Sequence, residues 1–144
     1  MLMSKPLVFD TNVYVSAVRG GLESAASIAL QESLPRTYLA SVVAAELRAG
    51  ATTDSARRVV ERFSLWARRV DRVVTPSAKS WDRAGDILAQ GRLGQPELRS
   101  KVGRLWNDVL IALSARQIGA RVVTCNVRDF EVIRRHFRFD MRDI

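Results

Sequence analysis

Apolar and polar positions along the chain form two kinds of pattern, short apolar runs and longer stretches with helical spacing. We predict strands for the short runs, which lie at residues 6–9, 37–40, 72–75, 121–124 and 137–139. We predict helices for the longer stretches, which lie at residues 23–33, 41–49, 54–69, 76–90 and 104–118. Alternating strands and helices predict an α/β fold with a central, mostly parallel sheet of four to five strands flanked by helices.

Serine, glycine and proline mark several of the predicted helix ends. Ser41 is expected to cap the helix that begins there, and Gly50 is expected to end it. Pro76 suits the first turn of the helix that follows the third strand. The segment at residues 91–101 is expected to connect two helices. Its basic side chains either contact a substrate or are only solvated; they are Arg92, Arg99 and Lys101.

A length of 144 residues suits a single domain with its own core, which we expect to span residues 1–144. No apolar run approaches the roughly 20 residues of a membrane-spanning helix, and the first residues do not have the pattern of a secretory signal. Cys125 is the only cysteine, so an internal disulfide cannot form. A cytoplasmic protein is therefore expected.

The net charge of +8 makes a polyanionic partner the main expectation from composition, with nucleic acid first. Twenty of the 23 basic residues are arginine, whose planar side chain suits bidentate contacts to phosphate. The alternative is a basic surface that is solvated and has no partner. The dense run of arginines at residues 57–72 suits RNA contact and a solvated surface equally well. RNA contact is favoured for a second group near the end of the chain, Arg128, Arg134 and Arg135.

The three tryptophans are Trp66, Trp81 and Trp106. Large aromatic side chains most often anchor a core or an interface, so we expect all three to pack in the core rather than to stack on bases. The apolar positions that alternate with arginines at residues 59–66 likewise predict a packing face, either in the core or against a partner protein.

Three acidic residues stand where an ordinary surface carboxylate is not expected. Asp10 closes the apolar run Leu7-Val8-Phe9 and is followed by Thr11 and Asn12, a set that suits either a helix cap or chemistry at the end of a strand. Glu46 and Asp108 each interrupt the apolar face of a predicted helix.

Burying a lone charge costs several kcal/mol, so each of these acids needs a partner. Neither Arg48 nor Arg104 is expected to neutralise them. The carboxyl ends of parallel strands form one crevice, and Asp10, Glu46, Asp108 and the loop at residues 125–129 with Asp129 can all reach it. Carboxylates that converge there would repel one another, and a divalent cation such as Mg²⁺ or Mn²⁺ would remove that repulsion. A basic protein with such a site suggests phosphodiester chemistry.

Four segments of the chain carry a resemblance to a known family. They are VFDTNVYVSA near the start, SVVAAELRAG around Glu46, NDVLIALSAR around Asp108, and VVTCNVRDF at residues 122–130. In order and spacing, over nearly the whole chain, they are similar to the PIN-domain nucleases, and among those to the VapC-type toxins of bacterial toxin–antitoxin pairs.

The resemblance implies a PIN-like fold and an endoribonuclease that depends on Mg²⁺ or Mn²⁺. It also implies a cognate antitoxin and a homodimer. By position it makes Asp10, Glu46 and Asp108 the core acids, with Asp10 and Asp108 as the metal ligands. Supporting roles follow for Thr11 and Asn12, which would orient Asp10 or a metal-bound water, and for Thr124, which would support the site from the fourth strand. Asn126 also has a supporting role, since its side-chain carbonyl can bind a water or the metal.

The chain departs from the family at one position, because Asn126 stands where many members have an aspartate. Asp129, three residues on, either compensates as a further catalytic acid or caps a short helix. One bound metal is therefore the expectation. That metal would activate a water to attack the phosphorus, with Glu46 positioning either the water or a second ion. The products would carry 5′-phosphate and 3′-hydroxyl ends.

Two other readings stay open on the sequence. A strand followed by Asp-x-Asn is also similar to aspartyl-phosphate phosphohydrolases, although Asn12 replaces their second acid. The second is a catalytically inactive module on the same fold that binds RNA or protein. The retention of Asp10, Glu46 and Asp108 together argues against that module.

Overall fold

A sheet of five parallel strands lies at the centre of the protein, whose computed structural model describes residues 4–94 and 102–144. The strand order is β3-β2-β1-β4-β5, and each neighbouring pair is parallel. The strands are β1 Leu7–Phe9, β2 Thr37–Ala40, β3 Val73–Val74, β4 Arg121–Thr124 and β5 Asp140–Asp143. The prediction of an α/β fold with a parallel sheet of four to five strands is confirmed.

Seven α-helices connect and cover these strands within the described residues. They are α1 Thr11–Gly20, α2 Ala25–Ser33, α3 Ser41–Gly50, α4 Asp54–Arg69, α5 Ala78–Gly94, α6 Val102–Gln117 and α7 Val127–Arg134. A short 3₁₀ turn, Leu34–Arg36, leads into β2. No helix in this part of the chain is both long and apolar enough to cross a membrane.

The strand order creates a crevice at one edge of the sheet. The chain moves outward from β1 to β2 and β3, then returns to place β4 and β5 on the other side of β1. In open α/β sheets such a reversal leaves a crevice at the carboxyl ends of the two strands that flank it. Phe9 of β1 pairs with Val123 of β4, so Asp10 and Thr124 are the next residues along two neighbouring strands. We call this side of the sheet the carboxyl edge.

Helix α6 fixes the other side of that crevice. It contacts β1, β2 and β4 and packs against α3, α5 and α7. Every residue from Asp108 to Ala115 is buried, because this helix is covered on all sides. Strand β1 is likewise buried on both faces, which explains its unbroken apolar sequence.

The last predicted strand was placed wrongly. Phe137 and Phe139 do not form a strand; they are buried with Phe130 in an aromatic cluster whose ring centroids lie 5.2 and 6.3 Å apart. Strand β5 follows them as the polar sequence DMRD. Its backbone pairs with β4 at the edge of the sheet, where an apolar run is not required.

Several helix ends also differ from the predictions. Ser41 is the first residue of α3, and the cap position is Ala40, which has no side-chain hydrogen bond. Helix α5 begins after Ser77, whose Oγ accepts from the Ser80 amide at 3.1 Å, so Pro76 precedes the first turn. Gly50 ends α3 as expected. Residues 91–94 continue α5 instead of forming a connector. The contacts expected of Arg92, Arg99 and Lys101 lie outside the described residues.

Gly119 holds the turn from α6 into β4 in a backbone conformation that other residues rarely adopt. Its φ is +65°, and a Cβ there would meet nothing within 4 Å. We expect Gly119→Ala to lower the free energy of unfolding by about 1 kcal/mol, because the left-handed conformation is strained for alanine. Urea unfolding of the purified protein measures this difference.

Gly50→Ala is the matched control, because a Cβ there also has open space but the backbone φ is not positive. Alanine in place of a helical glycine should leave the protein equally or more stable. Equal losses in the two variants would contradict the explanation.

Candidate active site at the carboxyl edge of the sheet

Asp10 is buried at the carboxyl end of β1, with 3% of its surface exposed. Its amide donates to the Val123 carbonyl at 2.9 Å, which extends the pairing of β1 with β4 by one residue. The Thr124 hydroxyl donates to Asp10 Oδ2 at 2.9 Å and accepts from the Asn126 amide at 2.8 Å. The Asp10 carboxylate is therefore held in a fixed orientation by the end of β4.

Asp108 faces the same crevice from α6 and is 8% exposed. Burial raises the pKa of Asp108 from its ordinary 3.8 to about 8, and the negative charges of Asp10, Asp129 and Glu46 add to the effect. A carboxyl group is affected in this way only when the other acids lie close by. The structure thus brings the four acids predicted from the sequence to one crevice.

The pKa of Asp10 is subject to several opposing influences. Burial raises its pKa above the ordinary value, while the Thr124 hydroxyl and the Thr11 backbone amide lower it by donating hydrogen bonds. The charge of Glu46 raises the pKa further, and the charge of Arg104 lowers it. The pKa of Asp10 therefore reflects burial and the Glu46 charge acting against two donated hydrogen bonds and the Arg104 charge.

Glu46 reaches the crevice from α3 and is held by α1. The Thr11 hydroxyl donates to Glu46 Oε1 at 2.9 Å. The side chain of Thr11 therefore orients Glu46, and the backbone amide of Thr11 donates a hydrogen bond to Asp10. Asn12 is exposed on α1, and its side chain makes no hydrogen bond to another described residue. No hydrogen bond among the described residues supports an orientation of Asp10 by Asn12, and the alternative role of Asn12 toward a metal-bound water stays a prediction.

Asp129 lies in the first turn of α7, because only Cys125 and Asn126 remain between β4 and that helix. The Asn126 side-chain amide donates to Asp129 Oδ2 at 2.8 Å. Asn126 thus orients the later acid from the position where a fourth acid was considered. The loop predicted over residues 125–129 is shorter than expected.

Arg104 is the site residue that the sequence reasoning missed. Its Nε lies 3.8 Å from Asp129 Oδ2, and its charge lowers the pKa of both Asp10 and Asp108. We expected that Arg104 would not neutralise the acids; it lies beside Asp129 and offsets only part of the effect of burial on Asp10 and Asp108. The signal was present, since Arg104 precedes Asp108 by four residues on α6 and so lies one turn away.

The donor set fits a hard divalent cation held by few protein ligands. Asp10 and Asp108 supply carboxylate oxygens from two sides of the crevice, and burial is the main cause of the raised pKa of each. Within residues 4–94 and 102–144, no three acidic, histidine or cysteine side chains converge closely enough to hold a metal among themselves. Mg²⁺ commonly binds through one or two carboxylates and keeps several waters, so two suffice.

The basic residues predicted to contact RNA lie along α7 and differ in their distance from the crevice. Arg128 is exposed in the first turn, beside the carboxyl edge. Arg134 and Arg135 lie at the other end of the helix, and Arg134 Nη1 is 3.4 Å from Glu131 Oε1. Arg128 is therefore the best placed of the three.

The three tryptophans differ in how they pack against the core. Trp66 and Trp106 pack against the core, as expected. Trp81 does not, because half of its surface is exposed. The prediction that it is a core anchor was wrong.

Comparisons with known proteins agree with this architecture. The family model described as PIN domain matches residues 7–135. A search of curated protein sequences finds no match. FitAcB from Neisseria gonorrhoeae superposes with a TM-score of 0.67 at 20% identity, covering 94% of this chain and 95% of that one.

Two further solved structures share the fold. A DNA-bound VapBC from Salmonella typhimurium superposes with a TM-score of 0.65 at 22% identity, covering 97% of this chain and 98% of that one. VapBC2 from Rickettsia felis, bound to a promoter DNA fragment, gives a TM-score of 0.58 at 22% identity, covering 96% and 98%.

The raised pKa of Asp108 predicts how stability depends on pH in the absence of metal. The unfolded chain loses this proton near pH 4 and the folded chain near pH 8, so folding stability falls as pH rises between those values. We expect Asp108→Asn to be more stable than the parent protein by a few kcal/mol at pH 8 in EDTA. The difference should vanish near pH 4, as measured by urea unfolding.

Asp86→Asn is the control, because that carboxylate is exposed on α5. It should change stability little at either pH. Mg²⁺ should stabilise the parent protein at pH 8 and not the Asp108→Asn variant. A variant less stable than its parent at pH 8 in EDTA would contradict the assignment of a buried, repelled carboxylate.

Proposed function

Because the PIN domain model matches residues 7–135, this chain belongs to the PIN domain family, and we propose that it is a metal-dependent endoribonuclease. PIN domains are generally nucleases. We further propose that residues 1–144 form a single nuclease domain and act as the toxin of a toxin–antitoxin pair. The observation that carries the proposal is the pair of buried carboxylates, Asp10 and Asp108, at the carboxyl edge of a strongly basic protein.

The roles of the residues follow from their positions. Asp10 and Asp108 would hold the cation, Mg²⁺ or Mn²⁺, and Thr124 would keep Asp10 in the orientation for binding it. When bound, the cation supplies positive charge that lowers the pKa of water and offsets charge on the phosphate. Glu46, fixed by Thr11, is placed to orient the attacking water and accept its proton.

Asp129 and Arg104 complete the proposed site. Asn126 orients Asp129, and the Arg104 guanidinium balances part of the acidic charge. Arg104 can also contact a phosphate, because its side chain is largely exposed. These roles require one metal ion, and they do not make Asn126 a metal ligand.

The partners are proposed on the same basis. RNA is the substrate favoured by the net charge of +8. The three solved structures compared above are VapBC and FitAcB assemblies, which supports a cognate antitoxin as protein partner. A homodimer and a cytoplasmic site of action complete the proposal.

The two lysines among the described residues give no support to the phosphohydrolase alternative, and Lys101 lies outside those residues. Such an enzyme needs a lysine near the strand-end aspartate. Lys5 precedes β1 at the opposite edge of the sheet, where it pairs with Asp140, and Lys79 is exposed on α5. The remaining alternative is an inactive module that binds RNA or protein, and the following experiment distinguishes it.

Purified protein should cut single-stranded RNA with Mg²⁺ or Mn²⁺ and not with EDTA. Asp10→Asn and Asp108→Asn should lower the cleavage rate by more than about 100-fold, because each removes a proposed metal ligand. Thr124→Val should cost about 10- to 100-fold, the range for loss of a group that orients a ligand. Gel analysis of labelled RNA measures each rate.

Asp86→Asn, which changes an exposed carboxylate in the same way, should cut like the parent protein. Cleavage that survives Asp10→Asn would point to a contaminating nuclease and refute the assignment. RNA binding without cleavage under every metal condition would favour the inactive binding module.

The position of Arg128 predicts a graded effect on RNA affinity. Arg128→Glu should weaken binding most, because the residue lies beside the carboxyl edge, and Arg135→Glu should weaken it less. The plot of log affinity against log salt should also lose about 0.7 of slope per phosphate contact removed. Fluorescence anisotropy at several salt concentrations measures both quantities.

Arg69→Glu provides the control of equal charge change. Arg69 ends α4 shortly before β3 begins, which places it toward the opposite edge of the sheet. If Arg69→Glu weakens binding as much as Arg128→Glu, the RNA does not follow the carboxyl edge.

A further inference from the structure

An open groove of about 480 Å³ adjoins the candidate active site, and Trp81 forms part of its wall. Half of the Trp81 surface is exposed, although tryptophan is a costly residue to leave in water. Trp106, which packs against the core, supports Trp81 at a ring-centroid distance of 6.3 Å. Trp81 therefore offers an aromatic surface that packs against Trp106 on one side and is exposed to solvent on another.

The groove lies at the same edge of the sheet as the acids. Thr75 and Pro76, which follow β3, and Ser41, which follows β2, all line it. Asp10 follows β1, the next strand in the sheet. Adjacent strands are about 4.8 Å apart, so the part of the groove that follows β2 and β3 is one to two strand spacings, about 5–10 Å, from the end of β1 at Asp10.

Two residues join the groove to the acidic site. Glu46 lines the groove, and its Oε1 accepts a hydrogen bond from the Thr11 hydroxyl at the candidate active site. Asn107 lines the groove, and the next residue on α6, Asp108, is a proposed metal ligand. A substrate held at the acids therefore has a neighbouring unit within reach of Trp81.

We propose that this groove receives the base of a nucleotide adjacent to the cleaved phosphate, with Trp81 stacking on the base and Asn107 contacting its edge. The inference rests on the proposed nuclease function. Aromatic platforms beside a charged track are the usual way to hold single-stranded nucleic acid, because each base has a face that can stack. Asn107 offers both a donor and an acceptor, and sequence-specific RNA recognition reads base edges with such groups.

The lining favours a base over a purely apolar occupant. Apolar side chains such as Pro76 and Leu110 supply part of the wall, but Ser41, Thr75 and Asn107 place polar groups around it. Binding sites for small aromatic ligands have this composition, largely apolar with a few polar groups that fix orientation. The net charge of +8 adds attraction for the phosphates on either side of the base.

Binding of a short fluorescein-labelled RNA by the Asp10→Asn protein, which should not cut it, tests the proposal. In that background, Trp81→Leu should weaken binding about tenfold, because leucine keeps apolar bulk but has no ring to stack. Trp81→Phe should retain most of the affinity. Leu22→Ala, at a residue 81% exposed in the turn between α1 and α2, is the control and should have no effect.

An abasic scan of the same RNA identifies the base. Removing one particular base should cost as much as Trp81→Leu, and combining the two changes should cost no more than either alone. In the cutting protein, Trp81→Leu should also relax the sequence preference beside the cleaved bond, as read by sequencing the product ends. Additive losses at every abasic position would overturn the assignment.

The outcomes separate this inference from the function on which it rests. Cleavage and binding that are both indifferent to Trp81→Leu would overturn the stacking site and leave the nuclease intact. Binding that depends on Trp81 without cleavage in the parent protein would overturn the nuclease and support the stacking site. A Trp81→Leu change that weakens antitoxin binding but not RNA binding would assign the groove to a protein instead.

Discussion

Burial of two neighbouring carboxylates is the constraint on which the rest of this structure depends. Asp10 and Asp108 come from a strand end and a helix, and neither has enough water around it to dissipate its charge. Burial is the main cause of the raised pKa values of both acids, and neighbouring carboxylates add to it. Arg104 and, at Asp10, the Thr124 hydroxyl offset only part of this effect. The folded chain is therefore stabilised by protonation of this site and, under the proposed function, would be stabilised by a bound cation.

The sheet and α6 supply the rigidity that such a site requires. Asp10 is fixed because β1 pairs with β2 and β4 on its two sides. Asp108 is fixed because α6 is buried along its length from that residue to Ala115. The same helix carries Asn107 into the neighbouring groove. One buried helix therefore sets the distance between the acids and the candidate base site, so the two sites form one continuous surface.

Agreement between sequence and structure was best where local pattern and burial coincide. Strands β2 and β4 and helix α4 have the predicted bounds, because their apolar periodicity reflects the faces they bury. The prediction failed for β5, whose polar sequence forms a strand only through backbone pairing with β4. It failed also for Trp81, because the same helical spacing describes a buried ring and one at the rim of a groove.

The sequence by itself determined the fold class and which acids were out of place, since Asp10 closes an apolar run and Glu46 and Asp108 interrupt apolar helix faces. Only the tertiary structure decided how they are held. Thr11 donates a hydrogen bond to Glu46, 35 residues away in the sequence, and Thr124 donates one to Asp10, 114 residues away. Hydrogen bonds and charge interactions depend on distance in space, and such distances arise when the strands and helices pack. Periodicity along the chain records which side of an element is buried, but not what lies opposite it.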